Sequence, residues 1–185
     1  AANSRPFTLR GLAPDQTLVL VNGKRRHATA ILNINNAVGR GAAGVDLDLI
    51  PASAIARVEV LRDGAAAQYG SDAIAGVVNL ILREDNHGGA AFVQASTTEE
   101  ADGEAFMTGG WAGLALPNGG HLTLSGEYRD QAHTNRANID QRFGRVTYQV
   151  GDPDLQAGAL VANAAIPLWG GEVYGFGTLS RKDAV

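Results

Sequence analysis

The chain has 185 residues, a formal net charge of −4, 24 glycines and no cysteine. That charge balance excludes general nucleic-acid binding, which needs a basic face, and the missing cysteine excludes disulfides, thiolate catalysis and zinc–cysteine sites. No run approaches the roughly 20 consecutive apolar residues of a membrane helix. The chain opens without Met, as AANSRPFTLRG, and stops as GFGTLSRKDAV within an alternating pattern, so it reads as a piece of a longer protein.

Residues 1–87 read as a small mixed α/β unit. TLVLVNG is a short apolar strand that closes at Asn22-Gly23, a strong turn pair. KRRHATAILNINNAVGRGAAG (24–44) has no sustained period and reads as loop. Asp46 and Asp48 alternate with Val45, Leu47 and Leu49, the pattern of a strand with one wet face. DLIPASAIA predicts a brief helix, with Pro51 where its missing N–H costs nothing. In RVEVLR, Val58 and Val60 oppose Arg57 and Glu59, as in a half-buried strand. Asp63 is placed to cap a turn over Ala65–Tyr69 and Gly70 to end it. GVVNLIL then reads as a buried strand.

From about Gly88 the pattern changes to long two-residue alternation. In HLTLSGEYR, Leu122, Leu124, Gly126 and Tyr128 oppose Thr123, Ser125, Glu127 and Arg129. LPNGGH and PLWGGE join neighbouring runs by tight turns, whereas the link from Arg129 to Leu155 is long. Alternating segments of about 10 residues, with short turns at one end and long loops at the other, describe an outer-membrane β-barrel. A soluble sandwich with one wet face alternates too. The length of the runs, against a usual mode of about 5–6, favours the barrel.

The candidate chemistry is sparse. The glycines at 64, 70 and 76 are spaced six apart rather than as G-x-G-x-x-G, and Asp63 would repel a phosphate. His27, His87, His121 and His133 are scattered, and Ser4, Ser53 and Ser71 lack a G-x-S-x-G setting. Neither a catalytic constellation, nor a metal site, nor a cofactor is expected. Lys24, Arg25, Arg26 and His27 follow the Asn22-Gly23 turn, with Asn33, Asn35, Asn36 and Arg40 behind them. They form either a solvated loop tip or a basic edge for an anionic ligand, since loops on rigid scaffolds often carry recognition.

LIPASAIARVEVLRDGAAAQYGSDAIAGVVNLILRE resembles the plug domain of TonB-dependent outer-membrane receptors. Ile50, Pro51, Ile55, Arg57, Glu59, Val60, Arg62, Tyr69, Gly70, Ser71, Gly76, Val77 and Asn79 match that family's pattern. LRGLAPDQTLVLVNGKR resembles its upstream segment. The departures are LRDG in place of Leu-Arg-Gly-Pro, and Asn22 where the turn usually has Asp. The resemblance implies an α+β plug over 1–87, a small mixed sheet with short helices. Over 88–185 it implies the first antiparallel β strands of an incomplete transmembrane β-barrel in the outer membrane of a Gram-negative bacterium. Five strands close no barrel, and plugged outer-membrane transporters have 22.

The resemblance further implies energy-coupled, plug-gated uptake of a scarce ligand such as a siderophore, cobalamin or a saccharide. The implied partners are the TonB protein, acting through a box outside these residues, outer-membrane lipid and the small extracellular ligand. A non-transporting, ligand-sensing module is the alternative. By the same analogy the 24–44 loop is apical, with residues 11–17 a second candidate. Arg10, Arg57, Glu59 and Arg62 are placed against the barrel wall. Gly64, Tyr69, Gly70 and Gly76 make a compact plug turn that Tyr69 anchors.

Overall fold

A computed structural model describes residues 4–34, 39–62, 65–148 and 150–184. Asn35, Asn36, Asp63 and Gly64 lie outside them. Strand β1 (Thr17–Val21) is buried along its whole length. It lies inside a four-stranded sheet ordered β2-β1-β4-β3, with β2 at Lys24–Arg25, β3 at Ile55–Leu61 and β4 at Gly76–Leu82. β1 and β4 run parallel and β3 returns antiparallel to β4. Parallel strands are buried on both faces and read as unbroken apolar runs, which is why TLVLV and GVVNLIL do not alternate.

One face of this sheet gathers Leu18, Leu20, Ala73 and Val77 beneath Tyr69. The other gathers Val21, Val78, Leu80 and Leu82 with Ile50 and Ala54. Tyr69 closes helix α1 (Ala65–Tyr69). Gly70 ends the helix as expected, with φ +90 and its N–H on the Ala66 carbonyl at 3.0 Å.

Three expectations are corrected. DLIPASAIA forms two 3-10 turns, Leu47–Leu49 and Ala52–Ala54, rather than one helix. Pro51 sits extended between them (φ −54, ψ 131) and has no N–H to continue a helical ladder. Asp46 and Asp48 are not the wet face of a strand. Asp46 is only 5% exposed, and its carboxylate accepts the Asp48 N–H to start the first 3-10 turn. Strand β3 is exposed on both sides, Val58 and Val60 included, because it is the sheet's edge and no described element covers it.

The second sheet is a five-stranded antiparallel meander: β5 (Gly89–Ser96), β6 (Ala105–Leu116), β7 (Gly120–Gln131), β8 (Leu155–Leu168) and β9 (Gly171–Ala184). Pro117–Gly119 joins β6 to β7, and Trp169-Gly170, both at positive φ, joins β8 to β9. Positive φ at both central residues gives the turn a twist that matches the flanking strands. The opposite end carries the longer connections, 97–104 and 132–154.

Candidate functional site between the two sheets

Register divides the second sheet into two faces. One carries the cross-strand rows Met107–Arg129–Ala157–Lys182, Trp111–Ser125–Val161–Thr178 and Gly113–Thr123–Asn163–Phe176. This face meets the first sheet: Ser125, Thr123, Val161 and Asn163 are buried, and Val161 and Phe176 join the Leu80–Leu82 core.

Near the long-loop end the contact is ionic. Lys182 Nζ lies 3.0 Å from both an Asp46 and an Asp48 carboxylate oxygen, and its side chain is 11% exposed. Arg129, in the same row, lies 3.9 Å from Asp48, and Arg5 Nε lies 3.4 Å from it. The Arg5 backbone N–H also donates to Asp46 at 3.1 Å. One buried carboxylate therefore holds an N-terminal residue, a 3-10 turn and the facing wall together.

Lower down the contacts are single hydrogen bonds rather than ion pairs. Arg26 donates to Thr178 Oγ1 at 2.7 Å, and burial lowers its pKa. The Glu127 carboxylate accepts the Ala52 N–H at 3.3 Å. At the short-turn end the chain leaves β4 along the wall. Asn163 donates to the Arg83 carbonyl, Thr123 to the Asp85 carbonyl and the Gly113 N–H to the Gly88 carbonyl, each at 2.9 Å. The Arg83 guanidinium lies 4.5 Å over the Trp111 ring, an attraction of roughly 0.5–1 kcal/mol for a guanidinium that keeps contact with water. Gly113 has to be glycine, since a Cβ there would stand 2.5 Å from the Asp85 carbonyl oxygen.

The structure divides the basic set. The β1–β2 reversal at Asn22-Gly23 lies at the short-turn end, where Asn22 accepts the Leu82 N–H, so Lys24 is exposed there. Arg25 is ion-paired to Asp72. His27 and Arg40 are exposed, whereas Asn33 is buried and pairs by backbone with Gly41 and Ala42. Gly39 and Gly44 lie against Pro14, which puts the 27–44 loop beside the N-terminal end of β1, toward the long loops. Ile31, Leu32 and Ile34 are exposed on this loop.

Arg57 pairs with Glu59 at 2.9 Å, and Glu59 accepts from Asn79. Arg10 and Arg62 are exposed in the chain present. Gly76, at φ +146, tucks under the Leu61 carbonyl. Asp46, Asp48, Arg129 and Lys182 escaped the sequence reading as a contact. Their only signal was a pair of acids two apart and basic residues inside polar rows.

The two long connections are clamped to each other. Arg136 donates to both Asp102 oxygens, at 2.5 and 2.9 Å, while Thr98 Oγ1 and the Asn135 N–H donate to the same carboxylate. The Arg136 guanidinium, then Thr98 and Asn135, hold the Asp102 carboxyl well below the usual carboxylate range. A depressed pKa gives stabilisation that is present above the ordinary value and lost only as pH falls through the lowered one. Contact between the loops, read by a distance probe on each, is expected to persist at pH 3.5; separation by pH 4.5 would contradict it.

The other face of the second sheet points away from the first. Its rows Leu114–Leu122–Ala164–Gly175, Ala112–Leu124–Ala162–Gly177 and Gly110–Gly126–Leu160–Leu179 are wholly apolar. Tyr128 and Arg181 stand in the next row, and Trp169 is 98% exposed at the short-turn end. Gly120 to Tyr128 covers about 26 Å along the strand at about 3.3 Å per residue. With strands tilted by about 35–45°, that stretch stands roughly 20 Å tall, most of the roughly 25 Å apolar band, flanked by aromatics, of an outer-membrane wall. Among the described residues no helix is long and apolar enough to cross a membrane, which leaves crossing by strands open.

A family model of the TonB-dependent receptor plug domain matches residues 1–77. The probable TonB-dependent siderophore receptor PirA of Acinetobacter baumannii is 36% identical over 115 residues, 58% of this chain and 14% of that protein. The vitamin B12 transporter BtuB of Vibrio vulnificus is 35% identical over 128 residues, 69% of this chain and 19% of that protein. A single-site mutant of the ferric enterobactin receptor from Pseudomonas aeruginosa, solved with enterobactin, superposes at a TM-score of 0.73. That match covers 95% of this chain and 26% of that one, at 21% identity, which shows the shared fold. This chain belongs to the TonB-dependent outer-membrane receptors. It spans between 10% and 24% of the length of the curated relatives it matches.

Proposed function

We propose that residues 1–87 are the plug and residues 88–185 the first wall strands of a receptor that takes up a scarce ligand by energy-coupled movement of that plug. The observation that carries this reading is the seat of the first sheet. It rests on a mixed face of the second, where buried charges and side-chain hydrogen bonds surround the Val161–Phe176 contact, while the opposite face carries wholly apolar rows. Relatives named for siderophores and vitamin B12 support a small, scarce ligand of that kind. The TonB protein is the proposed partner that moves the plug. The 27–44 loop is the proposed ligand-facing part, with His27, Arg40 and the exposed aliphatics as its surface. The proposed role is carriage without chemistry on the ligand.

The test uses the full-length receptor in a host deleted for its own siderophore and cobalamin receptors. Labelled ferric siderophores and cobalamin are supplied with and without an inner-membrane proton gradient. Gradient-dependent accumulation of at least one is expected. Accumulation that survives collapse of the gradient, or none of any ligand, would refute the reading.

A further inference from the structure

The apolar outer face is not evenly filled. Gly110, Gly126 and Gly177 make the floor of a groove of about 700 Å³, and Leu124, Leu160 and Leu179 wall it. It opens outward: those leucines are 45%, 60% and 73% exposed, while Ser125 and Val161 beside them are buried against the first sheet. One row beyond the Leu160–Leu179 pair stand Tyr128 and Arg181, at the long-loop boundary of the apolar band.

Arg181 is the cation of that row and its side chain is 85% exposed. Its Nε donates to Asp183 at 2.8 Å, and a guanidinium has five N–H donors. Of the two acids in the next row, Asp183 is the Arg181 partner and leaves its remaining N–H groups unused, while Asp130 accepts from Tyr128 at 3.4 Å and from Gln156 at 3.5 Å. An apolar trough capped at the polar boundary by an arginine and a tyrosine matches a lipid end to end, with a chain below and a phosphate above.

We propose that this groove seats an acyl chain of one membrane lipid whose headgroup phosphate meets Arg181. The proposal rests on the barrel reading above. Lipid tails are as apolar as leucine, so a chain gains from this surface by fitting it rather than by escaping water. Shape therefore selects the lipid chain, and the guanidinium selects the headgroup. Gly177 has nothing within 4 Å of an added Cβ and no positive φ, so a large side chain there fills the groove without backbone strain.

The full-length receptor is purified in mild detergent and titrated with phosphatidylglycerol, with a diacylglycerol of the same chains as neutral probe, and retention is read by native mass spectrometry. Phosphatidylglycerol is expected to be retained over diacylglycerol. Arg181→Gln should weaken it about fivefold, the worth of one basic residue near an anionic headgroup. Gly177→Phe should abolish retention of both probes, and Val173→Phe, outside the groove, should not. Equal retention of the two probes by the native protein, or full retention by Gly177→Phe, overturns the proposal. So does a dimer that Gly177→Phe breaks, which would mean that a second copy covers this face. Protease protection in vesicles is scored separately: a receptor that fails to insert sinks the barrel reading itself.

Discussion

Asp46→Ala in the full-length receptor is expected to free the N-terminal segment from the wall. The substitution removes three contacts at once: the ion pair to Lys182, the acceptor for the Arg5 N–H and the cap of the Leu47–Leu49 turn. It leaves Lys182, 11% exposed, facing Asp48 alone. Removing one partner of a buried ion pair costs about 3–5 kcal/mol, and the remaining Asp48 holds the expected loss near the lower figure. Amide exchange should rise at residues 5–9 and 46–50 and stay unchanged at 82–88, whose contacts with the wall do not involve Asp46. Asp46→Asn keeps an oxygen for both amides and loses only the charge, so it should open the segment less. Unchanged exchange at residues 5–9 in Asp46→Ala would show that this junction does not hold the segment.

Gly76→Ala is the second large expected effect. At φ +146 a side chain is already strained, by roughly 1–3 kcal/mol. The new Cβ would also lie 2.5 Å from the Leu61 carbonyl oxygen and 2.9 Å from Leu9 Cδ1. The first of those atoms is backbone, so β3 has to shift against β4. A loss of about 3 kcal/mol or more in plug stability is expected from strain and displacement together. Gly70→Ala is the control. Gly70 also has a positive φ in a glycine-only conformation (φ +90, ψ −173), but nothing lies within 4 Å of its added Cβ, so only the backbone cost of about 1–3 kcal/mol applies. Equal denaturation midpoints for the two variants would refute the close approach at Gly76.

The wall was legible in the sequence because alternation is local. Leu122 to Tyr128 declare their faces without reference to any other strand, and the short and long connections follow from composition. The plug strands were legible as unbroken apolar runs. The seat was not. Asp46 reads as solvent-facing until Lys182, 136 residues away, supplies the charge that permits its burial. Arg25 looks available until Asp72 is brought beside it by the turn after α1. Lys24 belongs with the loop in sequence, yet the Asn22-Gly23 reversal leaves it at the opposite end of β1 from Pro14. Pro51 signals a helix start, yet its own extended conformation and the entry of Ile55 into β3 leave room for two short turns instead.

The proposed uptake requires the plug to leave its seat on the wall. Asn22 and Asn163 face each other across the seat, with Asn22 Nδ2 donating to Asn163 Oδ1 at 3.4 Å, and these 185 residues contain no cysteine to interfere. Cysteines at both positions of the full-length receptor would be joined by a short, reducible bifunctional thiol reagent, and gradient-dependent uptake measured before and after reduction. Uptake that stops on cross-linking and returns on reduction is the predicted result. Uptake at the native rate with the cross-link intact would contradict the account.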